Sequence, residues 1–114
     1  MDKVVSKIAG LGVPGLVLLI VMSSTGYIGA AAITSALSIM GGPFGMLGGM
    51  VLLGILVQIS TAISKFGFLK IYHAVIKELY KNGEDKKTIL EKINSYPISK
   101  ELKNSLFNLI NDQN

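Results

Sequence analysis

The sequence predicts an all-α chain. It reads as a two-span transmembrane helical hairpin over residues 1–64, followed by an amphipathic helix and a small charged helical tail over 65–114. Three observations carry that expectation. From Ile8 to Ser64, 57 residues pass without a Lys, Arg, Asp, Glu or His. A turn signal, Gly41-Gly42-Pro43, lies inside that stretch. From Lys65 onward, apolar residues recur at helical spacing among lysines and acids. A helix at a water-facing surface carries polar and charged groups on its outer side. A stretch this long without a charge is therefore expected to leave water by entering lipid. A Lys or Asp at the bilayer centre costs about 2.5–3.5 kcal/mol on insertion scales, a cost the stretch avoids throughout.

Residues 1–12 make a short polar start, in which Val4, Val5 and Ile8 form the apolar face of a brief amphipathic turn. Pro14 suits the first turn of a helix, and Leu16 to Met22 is intensely apolar. The first apolar segment, Gly15–Met40, is 26 residues, about 39 Å as one helix against a hydrocarbon core of about 30 Å. It must tilt, project or break. Ser23-Ser24-Thr25-Gly26 is the natural break, because Ser and Thr offer the backbone alternative hydrogen bonds and Gly weakens a helix. The segment thus reads as one helix or as two, 14–24 and 27–40. Lys3 and Lys7, an apolar core and then Gly29-Ala30-Ala31 also fit a secretory signal peptide. Against that, apolar character runs on to Met40 and a second apolar segment follows at once.

Pro43 fixes φ at the start of the second span, which runs from Phe44 to Ile63. Its 20 residues give about 30 Å of helix, one crossing. In the amphipathic helix from Lys65, Phe68, Leu69, Tyr72, Val75, Ile76 and Leu79 form the apolar stripe. Asn82-Gly83 stops it. Glu84-Asp85 opens a second helix, Lys86–Asn94, with Ile89, Leu90 and Ile93 inward, and Ser95-Tyr96-Pro97 breaks it. Ser99 is an N-cap for a third helix, with Leu102, Leu106, Leu109 and Ile110 on one face. A bundle this small has little core of its own and is expected to lean on the membrane, the hairpin or a neighbouring subunit.

Only 16% of the chain is charged, against about 25% in ordinary soluble domains. The net charge of +4 resides at the two ends, and there is no Arg. Without bidentate base or phosphate contacts, nucleic acid is not an expected partner. The absence of Cys excludes disulfides and thiol chemistry. No nucleophile–base arrangement, phosphate loop or metal signature occurs, so neither catalysis nor a cofactor is expected. Glu84, Asp85 and Glu91 match no metal-ligand spacing and read as capping and solvated residues. His73, the sole histidine, is of the residue type used in pH switches, but a lone His on an amphipathic helix is more often interfacial. Lys3 and Lys7 flank one end of the apolar stretch; Lys65, Lys70 and Lys77 flank the other. The positive-inside rule then places both termini in the cytoplasm.

Small residues supply the candidate interface. Gly41, Gly45 and Gly49 form a GxxxGxxxG run, and Gly29, Ala32 and Ala36 share a helix face with Thr25. In lipid, helices associate where small residues let backbones approach. That predicts self-association into a ring, or else only close packing of the two spans of one chain. Thr34, Ser35, Ser38 and Gln58 are the candidate pore-lining residues, alongside Ser23, Ser24 and Thr25. Back-bonding to carbonyls is the alternative role for each hydroxyl.

With Gly26-Tyr27-Ile28-Gly29-Ala30-Ala31-Ala32 and the Gly41–Gly49 run in view, the architecture resembles two groups. One is the small phage holins. The other is the glycine-zipper membrane effectors of bacterial toxin and antiviral systems. The likeness covers about half the chain and is one of architecture. It implies a homo-oligomer that permeabilises the inner membrane. The patterned tail after Gly83 departs from holins and suits docking of a protein partner or control of assembly, which favours the effector. Two other functions fit the same residues: a non-pore membrane adaptor whose hairpin anchors a partner-binding tail, and a soluble helical homo-oligomer that buries the apolar stretch between subunits.

Overall fold

Six α-helices and no strands occur among the described residues, which are 1–23 and 48–113 of a computed structural model. They are α1 (Asp2–Gly10), α2 (Val13–Ser23), α3 (Gly48–Phe66), α4 (Phe68–Lys81), α5 (Lys86–Ser95) and α6 (Lys100–Gln113). The all-α class expected from the sequence holds.

α1 carries Val5, Ile8 and Ala9 on its buried side, the i, i+3, i+4 pattern of a one-faced helix. Asp2 in its first turn and Lys7 in its last complement the helix dipole. α2 is different: Leu16 to Val21 are buried at six consecutive positions. A helix that is apolar all round has to be surrounded. Here α1, α3, α4 and α5 all pack against it. α2 thus lies at the centre of the described helices. α4 touches α1, α2 and α3 through Ile71, Tyr72, Val75, Ile76 and Leu79, all buried. α3 contributes Leu56, Ile59 and Ala62. α5 brings Ile89 and Ile93, and α6, packed on α5, adds Leu102, Leu106 and Ile110.

Two corners fold the chain around α2. Between α1 and α2 the chain turns by 119°, and between Gly54–Phe66 and α4 by 118°. Each corner has a glycine in the left-handed region, Gly12 at φ 76° and Gly67 at φ 88°, where a side chain is disfavoured. At the first corner the two backbones nearly touch. A Cβ on Gly15 would overlap the Ile8 carbonyl oxygen and lie 3.0 Å from Leu11 Cβ.

Among the described residues no single helix is long and apolar enough to cross a membrane. The two bent pairs reach the necessary length and composition only when their halves are counted together.

The tail is built as its caps dictate. The Asp85 carboxylate accepts from Thr88 N at 2.8 Å, and Thr88 Oγ1 accepts from Asp85 N at 2.9 Å. This reciprocal pair satisfies two backbone donors at the start of α5. Glu84 pairs with Lys92 at 2.8 Å. Ser99 Oγ accepts from Leu102 N at 3.1 Å, as its N-cap role requires.

Candidate functional site: the outward face of α3 and the α1–α3 groove

α3 has an ordinary inner face and an unusual outer one. Inside lie Leu56, Ile59 and Ala62. Outside, Gly54, Val57, Gln58, Ser60, Thr61 and Ser64 are all exposed, and no charge appears until Lys65. Val57 is 63% exposed, the most exposed large apolar side chain among the described residues. This outer face is uncharged, with one large apolar side chain, Val57, among the polar groups of Gln58, Ser60, Thr61 and Ser64.

Beside this face runs an open groove of about 650 Å³ between α1 and the C-terminal half of α3. Lys3, Lys7 and Lys65 contribute cationic groups to its lining, with Asp2 the one carboxylate. Val4, Val57, Ala62 and Phe66 give it apolar surface. Lys7 Nζ donates to Gln58 Oε1 at 3.3 Å, tying α1 to α3. Lys65 Nζ lies 5.3 Å from the centroid of the Phe66 ring, within cation–π range.

The sequence-derived site residues distribute as follows. Gly29, Ala32, Ala36, Gly41 and Gly45 of the expected oligomer interface lie outside the described residues, as do Thr34, Ser35 and Ser38 of the expected pore lining. Gly49 falls in the first turn of α3. Gln58 stands on the outward face of α3, held by Lys7. Ser23, at the end of α2, back-bonds to the Ile20 carbonyl at 2.8 Å. His73 is exposed on α4 and meets the Tyr72 ring edge-on at 5.5 Å. Among the described residues, no three His, Cys, Asp or Glu side chains converge into a metal-binding set. The groove was missed from sequence. Its only signal is that Lys3 and Lys7 precede the uncharged stretch while Lys65 follows it, and proximity between those ends is a product of the fold.

No family model, no curated protein and no solved structure matches the chain.

Proposed function

We propose that this chain is a small bacterial inner-membrane effector that self-associates and permeabilises the membrane, keeping α2 inside its own helices until it inserts. The observation that carries the reading is the uncharged run of 57 residues. In its described part, that run divides into a helix buried on every side and a helix with an uncharged outer face. Lipid tails are about as apolar as Leu side chains. Moving α2 from core to bilayer therefore exchanges one apolar medium for another.

In the inserted form, segments 15–40 and 44–63 are the two spans and both termini stay in the cytoplasm. Gly29, Ala32, Ala36, Gly41, Gly45 and Gly49 bring neighbouring subunits together, and Thr34, Ser35, Ser38 and Gln58 face water. The tail, 65–114, regulates this step. Its first helix, α4, packs against α1, α2 and α3, so a protein partner that draws α4 away also uncovers α2.

Two assays on the full chain test the reading: release of dye from loaded vesicles, and membrane potential during induced expression. The expected result is dye release and depolarisation, both lost in a Gly45→Leu, Gly49→Leu double variant. Intact vesicles and unchanged potential would overturn it.

One further reading has an observation of its own. Around α2, α1 and α4 carry charged outer faces, while the outer face of α3 is uncharged from Gly54 to Ser64. That combination also suits a soluble homo-oligomer joined through α3. A detergent-free supernatant containing an oligomer without vesicle activity would select it.

A further inference from the structure

The fold brings both ends of the uncharged stretch to one place. Lys3 and Lys7, just before it, and Lys65, just after it, line the same groove. The lining holds three lysines, the Met1 N-terminus and one carboxylate residue, Asp2, together with apolar surface from Val4, Val57 and Phe66. The volume, about 650 Å³, falls within the range of small-molecule sites, roughly 300–1,000 Å³. A free inorganic anion would use the lysines and leave Val57 and Phe66 wet. A neutral apolar ligand would use the floor and leave the charge uncompensated.

We propose that the groove binds an anionic glycerophospholipid. The headgroup phosphate sits among Lys3, Lys7 and Lys65, and the start of an acyl chain lies against Val4, Val57 and Phe66. This deepens the membrane reading above by naming the lipid class that holds the chain at the bilayer. Binding here places the α1–α2 corner and the end of α3 at the headgroup layer, beside the segments that would insert. Thr61 and Ser6, also in the lining, supply hydroxyl donors for the phosphate or glycerol oxygens.

The test is flotation of the full chain with vesicles of phosphatidylcholine alone or of phosphatidylcholine mixed with phosphatidylglycerol. Two charge-matched variants are compared. One is Lys3→Gln, Lys7→Gln, Lys65→Gln in the groove. The other is Lys87→Gln, Lys92→Gln, Lys100→Gln, three exposed lysines of α5 and α6. A lysine near an anionic membrane surface is worth about fivefold in partition, so the groove variant is expected to bind phosphatidylglycerol vesicles about a hundredfold more weakly than wild type. The distant variant is expected to keep most of the wild-type affinity. Val57→Ser, at an exposed position that leaves the core intact, is expected to weaken binding to the same vesicles. Inorganic phosphate added as competitor at unchanged ionic strength is expected to leave it unaltered.

Equal weakening in the two triple variants would overturn the proposal, as would indifference to phosphatidylglycerol or displacement by inorganic phosphate. Thermal melts of each variant verify that the fold is retained. Dye release from the same vesicles separates the two readings. Selective binding without release sinks permeabilisation and leaves the groove. Release with equal losses in the two triple variants sinks the groove and leaves permeabilisation.

Discussion

Gly15→Ala is the sharpest single test of where α2 lies. In the structure the added methyl group meets the Ile8 carbonyl oxygen, a backbone atom that cannot swing aside as a side chain would, and Leu11 Cβ at 3.0 Å. Relief requires α1 to shift away from α2, loosening the contacts of Val5, Ile8 and Ala9 with the core. Overpacking of this kind costs about 1–3 kcal/mol, and a backbone neighbour puts this case at the upper end. The thermal midpoint should fall by roughly 10–20 °C for a chain of this size. Gly54→Ala is the internal control. Gly54 lies in α3, is exposed, and a Cβ there meets nothing within 4 Å. The same chemical change should therefore raise stability by about 0.5–1 kcal/mol through helix propensity. Far-ultraviolet circular dichroism melts of the two full-length variants read the difference. Equal shifts, or no loss for Gly15→Ala, would refute the α1–α2 contact and with it the sheathed position of α2. On the proposed function, Gly15→Ala should also release vesicle dye faster than wild type, because the corner that holds α2 is already strained.

Three further outcomes follow from the same packing. Leu19→Ala, at a position with no exposed surface, should cost about 2–5 kcal/mol by leaving a cavity, read by urea unfolding; a helix surrounded by lipid or detergent would lose much less. Asp85→Ala should lower the thermal midpoint, while Asp85→Asn keeps most of it, because the side chain caps α5. The backbone N–H of Thr88 holds the Asp85 carboxyl below its ordinary value, so this contribution is complete above the unfolded carboxylate's pKa, about 4, and disappears as pH falls below it. Tyr96 is half-buried, and that burial, with the nearby Glu84 charge, pushes its phenol up to about 12. The folded state keeps this proton between about 10 and 12 while the unfolded chain releases it, so stability falls across that window as pH rises. Phenolate absorbance should show a late-titrating component that Tyr96→Phe diminishes by one tyrosine.

The charged half of the chain was legible because its signals are local. The capping residues Asp85 and Ser99, the Asn82-Gly83 stop and Pro97 each act through backbone groups a few residues away, and the helix bounds agree with them to within a residue or two. Ile71, fully buried, escaped the expected stripe, and Leu69, 48% exposed, was wrongly included in it. The six-position run Leu16–Val21 has no period, so it announces an apolar surrounding without saying whether lipid or protein supplies it. Deciding that requires the inward faces of α1, α3 and α4, which are distant in sequence. The corner at Gly67 was also unread. Lys65 marks the end of the uncharged run, but the helix break falls two residues later, where a positive φ ends α3 at Phe66. Of the expected interface and pore lining, Gly49, Gln58 and Ser23 fall on described residues. The groove depends wholly on tertiary proximity.

The membrane reading then turns on what becomes of the sheath rather than of α2. Burial of a Leu or Ile side chain is worth about 1.5–3 kcal/mol relative to water. For α2 that gain is nearly the same in the core and in lipid, so its transfer between them is close to neutral. The inner faces of α1 and α4 differ. When α2 leaves, Val5, Ile8, Ile71, Tyr72 and Val75, all buried in the folded chain, lose their apolar neighbour. In water that loss opposes opening strongly. At a bilayer surface an amphipathic helix finds a replacement by lying with its apolar side in the headgroup boundary. α1 and α4 both have the required division, with Lys3 and Lys7 or Lys70, Lys77 and Lys81 on their exposed sides. Opening on this proposal therefore needs a membrane present before α2 emerges. An anionic lipid drawn into a groove between α1 and α3 is positioned to supply that first contact.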